Sequence, residues 1–121
     1  MKYFELTRDQ RAIGTLTFNT PESKVNLFSQ SALEELETHI DALAHASDLK
    51  ALFIESGKKD IFIAGADIQE IKAARDEKTI TALVQKGQDI FSKLESLPFP
   101  TIAMIDGACL GGGLEMSLAC S

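Results

Sequence analysis

The apolar positions of this chain follow two periodicities. Ile13-Gly14-Thr15-Leu16-Thr17-Phe18 alternates as a half-buried strand does. Segments 4–8 and 12–19 cluster β-formers on either side of Arg8-Asp9-Gln10-Arg11, the pattern of a short hairpin. Thr20-Pro21-Glu22-Ser23 then breaks into a loop. Leu33, Leu36, Ile40 and Leu43 recur at helical spacing beside a capping-box pair, Ser31 and Glu34, which predicts a one-faced helix over 29–46. The run 49–55 reads as a buried strand, 61–63 as a short apolar run, and 67–74 as a short helix. The strongest period belongs to Ile80, Leu83, Val84, Gly87, Ile90, Phe91, Leu94 and Leu97, a helix that Pro98 and Pro100 stop. Segment 101–105 is again a buried strand, 107–113 a glycine-dense loop, and 114–120 helix-like. The order β-β-α-β-α-α-β-α is that of an α/β fold.

Composition limits what such a fold can be. With 121 residues, 45% hydrophobic and 25% charged, the chain has the make-up of a globular protein. Its mass predicts a folded surface of roughly 6,400 Å² against roughly 19,000 Å² unfolded, enough burial for one core and too little for two. Twelve basic against 18 acidic side chains give a net charge of −6. That balance argues against a nucleic-acid partner, because no run of Lys and Arg offsets phosphate repulsion. Residues 1–10 lack the apolar segment of a secretory signal, so a cytoplasmic location is expected. Asp106, Glu115 and the glycines argue against a membrane span in the apolar last stretch. Cys109 and Cys120 have no CxxC spacing and no histidine nearby, so they are expected to be buried thiols and no metal is expected. His39 and His45 read as helix-flank residues, and Met104 and Met116 as core filler. The final helix reaches Ser121 in mid-apolar sequence without a C-cap, which predicts a piece of a longer domain.

Two segments could carry chemistry. Phe62-Ile63-Ala64-Gly65-Ala66-Asp67 places small residues between a strand and a helix. By itself this is foremost a tight turn with Asp67 as a helix cap, although small side chains also let a ligand lie against the backbone. Gly107-Ala108-Cys109-Leu110-Gly111-Gly112-Gly113-Leu114-Glu115 opens a helix with three consecutive glycines. The unpaired amides of that first turn suit an anion, or an oxygen that becomes anionic, with Glu115 in reach of the same space. Close packing of helix on strand, with Glu115 as a dipole partner, is the plainer alternative. No GxxxxGK[ST], GxGxxG or GxSxG motif occurs.

Together the segments resemble the crotonase (enoyl-CoA hydratase/isomerase) superfamily. FIAGADIQEI at 62–71 is similar to its AGAD segment, and IDGACLGGGLEMSLAC at 105–120 to its glycine-rich loop and helix. PESKVNLFS at 21–29 resembles the early loop of the hydratase domain in multifunctional fatty-acid oxidation alpha subunits. The resemblance implies the N-terminal half of a crotonase-type ββα spiral, with 1–121 a partial domain truncated before the second catalytic glutamate. It implies that the amides of Ala66 and Gly112 form an oxyanion hole for a thioester carbonyl. Glu115 would be the first of two hydratase glutamates. Lys24, Val25, Ala64, Asp67 and Ile68 would lie along the CoA moiety of an acyl-CoA substrate. Nothing beyond the substrate is implied as a cofactor here, and NAD only if the parent carries a 3-hydroxyacyl-CoA dehydrogenase domain. Self-association or a thiolase subunit are the implied partners. The expected reaction is hydration of a 2-enoyl-CoA, with the fragment inactive alone. The alternatives are an isomerase or another crotonase reaction, and a non-catalytic folding or interaction fragment.

Overall fold

The computed structural model describes residues 2–46, 48–74 and 76–121. Along it run β1 (Phe4–Arg8), β2 (Ile13–Phe18), β3 (Leu27–Phe28), α1 (Gln30–Leu43), β4 (Ala51–Ser56) and β5 (Ile61–Ile63). There follow β6 (Gly65–Ala66), α2 (Ile68–Ala73), α3 (Glu77–Glu95), β7 (Thr101–Ala103), β8 (Ala108–Cys109) and α4 (Gly112–Ala119). The expected order stands, with four short strands added: β5, read from sequence only as an apolar run, and the two-residue β3, β6 and β8, too short to show a period.

The main sheet has the order β1-β2-β4-β7. β1 and β2 are the expected antiparallel hairpin, while β2, β4 and β7 run parallel. Asp9 builds the hairpin turn, its Oδ1 accepting from the N–H of Arg11 at 2.8 Å and of Ile13 at 3.1 Å. The alternation of β2 and β4 turns Leu16, Phe18, Leu52 and Ile54 into one core with Leu36 and Ile40 of α1 and Ile90 and Leu94 of α3. Each such side chain contributes about 1.5–3 kcal/mol by leaving water.

Several expectations need correction. The cap of α1 is Ser29 rather than Ser31: its backbone is extended and its side chain accepts from the Ala32 N–H at 3.1 Å, whereas Ser31 already lies in the first turn. The helix also stops at Leu43, short of 46, once its buried positions end. Met116 is core as expected, but Met104 lies beyond the end of β7 and is 47% exposed. Cys109 and Cys120 are half-buried rather than buried. Burial still pushes the Cys120 thiol above its ordinary range, against a hydrogen bond with Thr101. His39 is half-buried with its ring 6.3 Å from Phe4, and His45 is exposed. The final helix does have a cap residue, Cys120, and Ser121 donates its N–H to the Thr101 carbonyl at 2.8 Å.

α3 is capped by Asp76, which accepts from the Thr79 N–H at 2.7 Å. Its apolar stripe runs from Ile80 to Leu94, but only the C-terminal part, Ile90, Phe91 and Leu94, is buried. Gly87 interrupts the stripe, at a cost of about 1 kcal/mol relative to alanine in a helix interior. α4 is apolar on nearly every side: Met116 points into the core while Leu114 and Leu118 are exposed.

Two short parallel pairs stand apart from the main sheet. β3 pairs with β6, setting Leu27 against Gly65 and Phe28 against Ala66, and β5 pairs with β8. What fixes the first pair is Asn26, a fully buried polar side chain. Its Nδ2 donates to the carbonyls of Phe18 (2.9 Å) and Phe62 (3.0 Å) and to Ser56 Oγ (2.9 Å). Its Oδ1 accepts from the Thr20 N–H at 2.9 Å, and its carbonyl from the Ala64 N–H at 2.9 Å. Lys58 secures the same loop by donating to the Thr20 and Ser23 carbonyls at 2.5 and 2.6 Å.

Asn26→Ala is expected to destabilise the chain by about 1–3 kcal/mol for each carbonyl left buried without a donor. Asn26→Asp should cost more, since it turns a carboxylate toward three acceptors. Urea midpoints at neutral pH measure both. An Asn26→Asp protein as stable as the parent would mean that the loop is held elsewhere.

Candidate active site

β5 leads through Ala64 into β6, and Asp67 then starts α2. Asp67 is the expected cap, its Oδ1 accepting from the N–H of Gln69 at 3.0 Å and of Glu70 at 3.4 Å. Gly65 adopts φ 123°, and a Cβ there would lie 3.5 Å from the Leu110 carbonyl oxygen and 3.9 Å from Gly111 Cα. The small-residue turn and the glycine loop, distant in sequence, therefore touch.

The three consecutive glycines are not equivalent. Gly111 makes the turn, at φ 51° and ψ −118°. Gly112 is the first residue of α4, where a main-chain N–H has no partner within the helix. A Cβ built on it would stand 4.0 Å from the Ala66 nitrogen and 3.1 Å from Phe28 Cδ2. Gly113 gives its N–H to the Leu110 carbonyl at 2.9 Å and is buried against β5, with its Cβ position 2.7 Å from Ile63 Cβ. Close packing of helix on strand thus accounts for Gly113, while Gly112 begins the helix with an N–H that has no partner within it.

Ala66, Gly112 and Glu115 line one cleft between α1, α2, α3 and the start of α4. Its volume is about 160 Å³, below the range of ~300–1,000 Å³ usual for ligand pockets. The walls are mainly apolar, from Phe28, Leu33, Ile71, Ile80, Leu83 and Phe91. Three carboxylates reach it: Asp67, Glu70 and Glu115. Asp67 is engaged as the α2 cap. Glu70 Oε1 accepts from the Gln30 N–H at 2.8 Å, tying α2 to the start of α1. Glu115 is exposed; its N–H donates to the Gly111 carbonyl at 3.1 Å, and its carboxylate has no hydrogen-bond or ion-pair partner among the described residues.

Of the residues expected along a CoA moiety, only Asp67 lines this cleft. Lys24 is exposed, Val25 half-buried, and Ile68 is 64% exposed at the first turn of α2. Ala64 donates its main-chain N–H to the Asn26 carbonyl, which sets Ala64 beside the loop that carries Lys24 and Val25, and none of these three residues lines the cleft. Sequence reading missed Phe28 and Glu70. Phe28 sits in a strand too short to show a period, 5.4 Å from the Phe18 ring and 5.5 Å from the Phe91 ring. Among the described residues no cluster of His, Cys, Asp and Glu is placed to hold a metal ion, and no helix is long and apolar enough to cross a membrane.

A family described as enoyl-CoA hydratase/isomerase matches residues 8–121. The fatty acid oxidation complex subunit alpha of Aliivibrio fischeri is 42% identical over 118 residues, which are 97% of this chain and 17% of that protein. The subunit of the same name from Shewanella halifaxensis is 41% identical over 98% of this chain and 17% of its own length. Among solved structures, an enoyl-CoA hydratase from Bacillus anthracis superposes with a TM-score of 0.90 at 28% identity, over 99% of this chain and 46% of that one. An enoyl-CoA hydratase from Mycobacterium smegmatis gives 0.93 at 26%, over 100% of this chain and 46% of that one. The chain thus spans under half the length of these solved relatives and about a sixth of the alpha subunits.

The division among the glycines is testable. Gly113→Ala should destabilise by about 1–3 kcal/mol, because its methyl meets the Cβ of Ile63 on a strand that cannot retreat. Gly112→Ala meets only the Phe28 ring and should cost less. Guanidinium unfolding ranks the two, and the reverse order would undo the assignment.

Proposed function

We propose that this chain, which belongs to the enoyl-CoA hydratase/isomerase family, serves the addition of water to a 2-enoyl-CoA. The amides of Ala66 and Gly112 would donate to the thioester carbonyl, and Glu115 would hold and activate the water. The observation that carries this reading is the meeting of Ala66, Gly112 and Glu115 in one cleft whose two other carboxylates are already engaged.

The chemistry follows from charge. As water oxygen bonds to the β-carbon, the double-bond electrons move through the α-carbon onto the thioester oxygen. Preorganised N–H donors aimed at that oxygen lower the barrier by about 2.7–4 kcal/mol per donor in comparable sites. Glu115 takes a proton from the water, and the α-carbon must receive one. Lys24, Val25, Ala64, Asp67 and Ile68 are proposed to carry the CoA moiety along the adjoining strands, with Lys24 toward the phosphates. The likeness to fatty acid oxidation alpha subunits supports a fatty acyl thioester.

Efficient addition uses one group to accept a proton and another to donate one. With Asp67 and Glu70 engaged, the cleft offers one free carboxylate among the described residues, so the chain is proposed to bind and polarise the thioester while hydrating it slowly. The family also includes isomerases, which would use the same hole to move a proton between carbons. The exposure of Glu115 to water favours hydration.

The test is difference Raman spectroscopy on the chain with crotonyl-CoA. The bound carbonyl stretch should fall in frequency relative to free thioester, and Gly112→Pro, lacking one donor, should lose much of that shift. Glu115→Gln should keep the affinity while any hydration rate drops by about 10²-fold or more. Binding without a carbonyl shift would overturn the oxyanion hole, and an unchanged hydration rate would remove Glu115 from the mechanism.

A further inference from the structure

α3 contains a glycine that neither its backbone nor its packing requires. Gly87 lies in the interior of a 19-residue helix. Nothing stands within 4 Å of the place its Cβ would occupy, and its φ is not in the left-handed region. This sets it apart from Gly107, where a Cβ would fall 2.2 Å from the Asp60 carbonyl oxygen, and from Gly113. The space beside Gly87 is the cleft itself, which it helps to line.

The same helix shows what that space favours. Its apolar stripe continues past the core: Ile80 and Leu83 remain half-buried and Val84 is 53% exposed, all three lining the cleft. Leu33 of α1 and Ile71 of α2 add apolar surface to the same walls. This trough is continuous with Ala66, Gly112 and Glu115, and its walls offer no charged group along α3. A flexible aliphatic chain attached to a group held at those three residues fits such a surface by burial alone.

We propose that Gly87 is a specificity-determining position: its missing side chain keeps open a trough along α3 for the aliphatic tail of a medium-chain or longer acyl thioester. The inference rests on the reading of the cleft as a thioester site and adds the class of acyl chain it takes. A side chain at this position would fill the trough and leave room for short acyl groups only.

Calorimetric titration of the whole chain with butyryl-CoA and decanoyl-CoA, saturated thioesters that cannot be hydrated, tests this. The parent should bind decanoyl-CoA more tightly, by about fourfold for each methylene that enters the trough. Gly87→Leu should lower the decanoyl-to-butyryl affinity ratio about tenfold or more, with far-UV circular dichroism confirming the fold. Gly87→Ala, which helix propensity favours, should lower the ratio about fourfold, one methylene's worth, while raising the melting temperature. It keeps the test alive should the leucine variant fail to fold. A ratio unchanged in a folded variant, or a parent that binds both thioesters equally, overturns the role of Gly87 and leaves the thioester site standing. A parent that binds neither of them, nor crotonyl-CoA, overturns the site and the inference together.

Discussion

The hydrogen bonds of Asn26 decide where the cleft lies. A buried amide must find partners, and the Asn26 side chain finds them on β2, on β4, on β5 and in its own loop. Once they are made, the chain leaves Asn26 with a fixed position and direction, and β3 is laid beside β6. Phe28 is thereby set against Gly112, and Ala66 is set at the cleft. The rings of Phe4, Phe18, Phe28 and Phe91 follow at successive centroid distances of 4.4, 5.4 and 5.5 Å. This column joins the main sheet to α3, so the cleft wall and the core share one packing.

The acidic groups are allotted with similar economy. Asp67 closes the first turn of α2 and Glu70 ties that helix to the start of α1. Those two bonds hold the short helix that buries no side chain of its own. Of the three carboxylates that line the cleft, only that of Glu115 has no partner among the described residues.

Much of this could be read from the residues alone. The hairpin, α1, α3 and the parallel core strands follow from periods long enough to register, and Asp67 as a cap follows from the small residues before it. The resemblance at 62–71 and 105–120 led to the family and to the residues that now share a cleft. The misreadings have local causes. Ser31 fits a capping pattern as well as Ser29 does, and only the extended backbone at Ser29 decides between them. Met104 looks like core until the strand before it ends at Ala103. The two-residue strands, the Asn26 clasp and the placement of Phe28 depend on partners far away in sequence, which no window along the chain contains. Gly87 was legible as part of a helical stripe, but the space beside it was not.

The glycines of this chain also differ in how much inheritance they allow. Any codon change that replaces a glycine by another amino acid brings in a β-carbon. At Gly107 that carbon would collide with the Asp60 carbonyl oxygen at 2.2 Å, and at Gly113 with Ile63 at 2.7 Å, both parts of a rigid neighbour. At Gly87 it would enter open space. A population of genes drifting from this one can therefore explore new alleles along α3, on the wall of the cleft, while the glycine loop that packs behind it against β5 admits almost none.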